Sequence, residues 1–99
     1  MFDIRDGAHG EIVLIGRFDA SHASKAELFM DGVSGPRVVD LQGLEYISSL
    51  GLGVLLKTQK RLMSSGSALR LVNASPHIRD VFRYAGFDRV FEIESLPLE

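Results

Sequence analysis

Three times in this chain a short apolar run gives way, across a few hydroxyl, acidic, glycine or proline residues, to a segment whose apolar positions recur every three or four residues. Compact β-branched runs are the mark of strands and the 3.6-residue repeat is the mark of helices. Strand-to-helix alternation of this kind predicts parallel strands joined by right-handed helical crossovers. Ahead of it stand two more strand signals. Met1 to Arg5 alternates, with Phe2 and Ile4 on one face and Asp3 and Arg5 on the other, then meets Asp6-Gly7; Glu11 to Phe18 is the most apolar strand in the chain. Their nearness predicts an antiparallel hairpin. The expected class is α/β, a small single-domain mixed sheet of four or five strands.

Local signals set the boundaries. The first helix starts at Asp19, Ser21 or Ser24, where Ser24 with Glu27 fits a capping box, and Ala26, Leu28, Phe29 and Met30 carry it to Gly32. Arg37 to Leu41 is the third strand and Leu41-Gln42-Gly43 is turn-like. A helix follows over Leu50 to Ser65, its inner stripe formed by Leu52, Leu55, Leu56, Gln59, Leu62 and Met63. Ala68 to Val72 is the fourth strand. Ser75-Pro76 opens the last helix, with Ile78, Val81, Phe82 and Ala85 inward and Gly86 just past its end. Val90 to Ile93 reads as a final edge strand, and Glu94 to Glu99 as a frayed acidic tail.

Composition narrows function. With 99 residues, 45% hydrophobic and 24% charged, the chain is an ordinary single globular domain. No apolar run reaches the roughly 20 residues of a spanning helix and no signal-peptide pattern opens the chain, so the expected location is the cytoplasm, without membrane insertion. The absence of cysteine removes disulfides, thiol chemistry and cysteine-bound zinc. A net charge of -2 with interspersed signs argues against nucleic-acid binding, and Lys57, Lys60 and Arg61 read as one solvated helix side. His9, His22 and His77 show no metal-ligand spacing.

The stretch Val38 to Gly53, VVDLQGLEYISSLGLG, is the candidate functional junction. It reads as strand, loop and helix, with Asp40 ending the strand and ordering the loop. The loop delivers Ser48 and Ser49 to a helix N-terminus, where free backbone N–H groups and the positive dipole end favour an oxygen acceptor or a phosphate. Gly51 and Gly53 in the first turns let another backbone or a partner approach. Asp19 after the second strand and Ser48-Ser49 after the third would both lie at strand carboxyl ends, where ligands and partners of such sheets gather. On the residues alone Ser49 also fits a plain N-cap, and Leu50 fits either core or an exposed apolar contact.

At this point the chain resembles the STAS domain shared by bacterial anti-sigma factor antagonists and the tails of sulfate transporters. The resemblance rests on Gly16 and Asp19 in GRFDAS, Asp40-Leu41 through Tyr46-Ile47, and Ser49-Leu50-Gly51-Leu52-Gly53-Val54. It continues through Gly66 before a strand and Phe82 with Gly86-Phe87. It implies a phosphorylation loop reading Asp-Ser-Ser/Thr/Ala-Gly, which lays the phosphoacceptor on Ser49, with Ser48 as the alternative. Two neighbours differ, Ser48 standing where the family has an acid and Leu50 where it has a small residue. The resemblance also implies a partner, an anti-sigma factor that is itself a serine kinase, with a phosphatase as a further partner. The partner-binding surface would comprise Asp19, Ser48, Ser49, Leu50, Gly51, Leu52 and Val54. The chain holds no cofactor of its own, and ATP and magnesium would belong to the kinase, because no Gly-x-x-x-x-Gly-Lys loop is present.

Two other readings stand beside the phospho-switch. One keeps the fold and drops the modification, giving a constitutive docking module in a transport or stress-signalling complex. The other, a Ser49–His77–Asp40 hydrolase triad, lacks the Gly-x-Ser-x-Gly elbow that would support it, so the chain is expected not to be an enzyme.

Overall fold

The computed structural model describes residues 1–96. Strands β1 (Phe2–Asp6) and β2 (Ile12–Phe18) form the expected antiparallel hairpin, Phe2 opposite Gly16 and Asp6 opposite Ile12. From β2 the chain turns through a short 3₁₀ segment, Ala20–His22, into helix α1 (Ala23–Asp31) and returns as β3 (Arg37–Ile47). Helix α2 (Ser49–Ser64), β4 (Leu69–Ala74), α3 (Pro76–Tyr84) and β5 (Glu92–Ser95) complete it. The five strands stand in sequence order, and every pair after the first is parallel. Because each crossover moves to the next neighbour in the same direction, a right-handed sense places the helices together on one face.

That covered face is the core. Along β2, Ile12, Leu14 and Phe18 are fully buried, as are Val39 and Leu41 of β3 and Leu71 of β4. Ala26 and Met30 of α1, Leu55 and Leu62 of α2, and Ile78 and Phe82 of α3 close over them. Gly16 has a φ of 89°, and a Cβ there would collide with the Met1 carbonyl, which accepts a 2.8 Å bond from the Arg17 N–H. Gly16 thus marks both a close backbone approach and a bulge, since the β2–β3 register shifts between Gly16 and Arg17.

Several local expectations are corrected. The third strand does not stop at Leu41; it continues through the turn-like Gln42-Gly43 to Ile47, held by β2 on one side and absorbing its irregularity in register shifts. Asp40 is therefore a mid-strand residue, whose Oδ1 accepts from the Gln42 N–H at 2.9 Å and from Asn73 Nδ2 at 3.1 Å. It orders a strand irregularity rather than a loop. Helix α1 has no Ser24 capping box: its N-cap position is His22, which makes no side-chain cap bond, because the preceding 3₁₀ turn already supplies helical geometry. Met63 and Ala85 of the expected inner stripes are exposed. Glu94 and Ser95, assigned to the tail, lie in β5, while 97–99 fall outside the described residues.

Gln59 is 2% exposed, and both its amide nitrogen and its amide oxygen are hydrogen-bonded. Its Nε2 donates to the Val90 carbonyl at 2.8 Å and its Oε1 accepts from the Leu69 N–H at 2.7 Å, tying α2 to β4 and to the approach of β5. Gly51 is explained by packing too: a Cβ there would lie 2.9 Å from Ile47 Cγ1 and 3.1 Å from Phe18 Cγ, both in the core. Gly51→Ala is expected to lower stability by about 1–2 kcal/mol, the overpacking cost outweighing the gain in helix propensity. A denaturant midpoint equal to or above that of the unmodified chain would contradict this packing account.

Candidate functional site

The exits of β2 and β3 are held side by side. Phe18 and Ile47 are register partners, and the ladder runs one step further through the Ser48 N–H, which donates to the Phe18 carbonyl at 2.8 Å. Asp19 leaves the first strand and Ser48 the second, so the carboxyl ends of adjacent parallel strands bring the two predicted stretches to one corner.

Ser48 is the N-cap of α2. Its backbone is extended, with φ -82° and ψ 169°, its Oγ accepts from the Gly51 N–H at 3.1 Å, and its carbonyl accepts from the Leu52 N–H at 2.9 Å. The reading of Ser49 as cap is thus corrected by one residue. Ser49 is the first helical residue, exposed, with its hydroxyl outside the cap. Serine serves at an N-cap about as well as aspartate, so the family's acid is replaced here without loss of the capping function. Sixteen residues of aligned peptide dipoles end at this corner.

Leu50 is 57% exposed, which settles its orientation toward solvent. Gly51 is buried beneath it, and Leu52 and Val54 are only 8% and 7% exposed. Of the apolar trio Leu50, Leu52 and Val54 expected to face a partner, only Leu50 presents a substantial surface; the other two belong to the core. Leu50 and Val54 line a shallow groove with Ala23, Ser24, Glu27 and Gly53, at the N-terminal end of the seam between α1 and α2. Further along, the seam is closed by Lys57 Nζ on Glu27 Oε2 at 3.1 Å and by Arg61, which donates to the Met30 and Val33 carbonyls.

On the other side of the corner, Asp19 Oδ1 accepts from Ser21 Oγ at 2.6 Å and lies 3.6 Å from His22 Nε2. The Ser21 hydroxyl bond is the main reason this carboxyl lies below the usual aspartate range; desolvation opposes it as the next largest effect, and His22, the Ser21 backbone and Arg17 add smaller lowering contributions. His22 stacks on Phe2 at 5.3 Å, and Phe2 on Phe18 at 4.6 Å, so the rim is braced into the core. Sequence reasoning missed His22, although its three-residue spacing from Asp19 in a helical turn was the available signal. Arg17 stacks over the Tyr46 ring at 4.4 Å, a pairing that only the bulged register creates. Asp40 is engaged by Asn73 and Gln42, and His77 is exposed on α3. Among the described residues no cluster of metal-ligating side chains is present, and no helix is long and apolar enough to cross a membrane.

Comparison with known proteins gives a consistent result. The family model described as "Mlab, STAS domain" matches residues 2–96. BtrV of Bordetella bronchiseptica, named as an anti-sigma factor antagonist, is 41% identical over 71 residues, which cover 70% of this chain and 61% of that protein. The chain thus matches less than two thirds of that relative's length. A STAS-domain containing protein of Pseudomonas aeruginosa is 31% identical over 91 residues, 89% of this chain and 90% of that one. Among solved structures, a Thermotoga maritima protein named as an anti-sigma factor antagonist superposes with a TM-score of 0.77 at 20% identity, covering 96% of this chain and 86% of the other. The Bacillus cell fate determinant SpoIIAA in its phosphorylated form superposes with a TM-score of 0.67 at 19% identity, covering 94% and 90%. At these identities the solved structures bear on the fold.

Two outcomes follow from the corner's geometry. Ser48→Ala should cost about 1 kcal/mol through the lost cap, while Ser49→Ala should stay within about 0.5 kcal/mol of the unmodified chain, as read from paired thermal melts. Reversed magnitudes would move the cap to Ser49. In an NMR titration, Asp19 should lose its charge at a pH below the ordinary aspartate midpoint of about 3.9. Its contribution to stability is therefore complete above that value and disappears as pH falls through the lowered folded pKa. Ser21→Ala should bring the midpoint back toward the ordinary range, and an unmoved midpoint would show that Ser21 is not the main cause.

Proposed function

The chain belongs to the STAS-domain family, and from that premise we propose that it acts in the cytoplasm as an anti-sigma factor antagonist, binding an anti-sigma factor that is also a serine kinase and released when Ser49 is phosphorylated. The observation that carries this reading is the division of labour between the two serines. Ser48 Oγ is committed to the cap, and Ser49 is exposed at the first helical position. A kinase can therefore take Ser49 without touching the cap, whereas Ser48 would have to offer the very hydroxyl that accepts from Gly51.

A phosphate on Ser49 would add roughly 1.5 to 2 negative charges and three acceptor oxygens at the positive end of α2. Within the domain that charge is tolerated or favoured by about 0.3–1 kcal/mol. In a partner packed on Leu50 it would have to be desolvated against an apolar or acidic surface, at a cost of a few kcal/mol, and each 1.4 kcal/mol is about tenfold in affinity. SpoIIAA, whose fold this chain shares, has been solved in a phosphorylated form. ATP and magnesium would be the partner's, the phosphatase that restores the bare serine would be a third protein, and this chain would be substrate and ligand rather than enzyme.

The exposed Leu50 favours a second reading. A bulky apolar side chain directly after the acceptor, 57% exposed, is a standing contact surface and would serve a constitutive docking module in a transport or stress-signalling complex equally well. Intact mass and peptide mapping of the protein from its native host, in growth and under stress, separate the two. A phosphate on Ser49 in one condition supports the switch; a fully covered loop that never carries one leaves the docking module. With the isolated partner, Ser49→Asp should weaken binding at least about tenfold and Ser49→Ala should not. Equal affinities would remove phospho-release from the account.

A further inference from the structure

Resting on the partner-binding reading above, we propose that the groove at the head of the α1–α2 seam seats an acidic, amphipathic helix of a protein partner, laid along α2 across the bare backbone of Gly53.

The two glycines of α2 are not equivalent. Gly51 has no room for a side chain, because Ile47 and Phe18 occupy the space. Gly53 has all the room it needs: a Cβ there would meet nothing within 4 Å, its φ is not in the left-handed region, and it is exposed. It sits in the second turn of a sixteen-residue helix, where glycine is a poor helix former. The fold thus bears a penalty at Gly53 that nothing inside the domain explains. Its surroundings supply a use. Gly53 floors the groove lined by Ala23, Ser24, Glu27, Leu50 and Val54, with the exposed Leu50 as its wall next to Ser49. Removing a side chain between two helices is what lets a third helix come close.

The charge along the same side of α2 selects the occupant. Lys57 and Lys60 follow Gly53 at intervals of four and seven residues, placing Lys60 about 10 Å further along the axis. Lys57 is shared with Glu27 in an exposed pair, and Lys60 forms no ion pair among the described residues. Glu27, which lines the groove, offsets Lys57, so the selecting charge is Lys60: a helix crossing Gly53 with an aliphatic side chain against Leu50 would bring its later turns over that amine, where acidic residues are attracted and basic ones repelled. The same charge disfavours a second copy of this chain packed α2 on α2, which would set lysines against lysines.

The test needs no natural partner. Labelled protein is titrated, by NMR, with two synthetic amphipathic helices of roughly five turns, one built from Leu, Ala and Glu and one from Leu, Ala and Lys. The acidic peptide should shift the amides of Ser24, Leu50, Gly53 and Val54, and the basic peptide should leave them in place. Gly53→Ala should raise the melting temperature by about 4–8 °C and weaken the acidic peptide about tenfold; Lys60→Glu should weaken it without raising the melting temperature. Equal response to both peptides, shifts confined to another surface, a lowered melting temperature for Gly53→Ala, or concentration-dependent self-association through the same amides would each overturn the proposal. None of these readouts depends on phosphorylation, so failure here and failure of the Ser49 switch are separate results.

Discussion

The hydrogen bond from the Ser48 N–H to the Phe18 carbonyl, 2.8 Å long, sets the geometry on which the candidate site depends. It extends the β2–β3 ladder past the last register pair, Phe18 with Ile47, and so fixes how far apart the two strand exits can be. It also holds Ser48 in the extended conformation that an N-cap requires, and the cap in turn fixes the direction of α2. Beneath it, Gly51 lets the first turn of α2 rest on the side chains of those same two residues. Ladder, cap and packing act on one corner, so a change to the exposed Ser49 hydroxyl alters what the surface presents while leaving the support intact.

The opposite end of α2 is braced differently. There Gln59 accepts from the Leu69 N–H and donates to the Val90 carbonyl, and Arg61 donates to the carbonyls of Met30, in the last turn of α1, and Val33, just beyond it. Buried polar groups with all their partners hold one arrangement, since losing any single partner leaves a desolvated group unpaired. One end of the helix is positioned by ladder, cap and packing and the other by long side chains bonded to neighbouring elements. Between them the helix has little freedom to transmit a displacement, which favours signalling by surface charge over signalling by movement.

How far the sequence disclosed this follows from what periodicity can encode. Strands and helices were legible because their apolar repeats are strong, and Ser75-Pro76 was legible because an N-cap hydroxyl before proline has few other meanings; its Oγ does accept from the Ile78 N–H. The run from Gln42 to Ile47 was not, because glycine and glutamine signal a turn locally while β2, in parallel pairing, keeps the segment extended. Adjacent serines at a helix start cannot be ranked from sequence either: one residue of register decides which hydroxyl caps and which is free, and that register was set by the ladder to Phe18. Met63 and Ala85 fell on the wrong side for a related reason, since apolar spacing marks a helix face without marking where burial stops.

The electrostatics of the corner bear on where any phosphate effect would arise. In the family loop an acid precedes the acceptor, so a phosphate there joins a negative neighbour. Here Ser48 performs the cap without that charge, and the carboxylate at the neighbouring strand exit, Asp19, is already engaged by Ser21 and lies near His22. A doubly charged group on Ser49 would therefore meet the positive end of α2 with less opposition from its own domain. A modification that its own fold accepts is poorly suited to remodel that fold. Its consequence would have to be expressed at the contact with a partner, through desolvation beside Leu50, and the strength of a switch of this kind would be set by how closely the partner packs there.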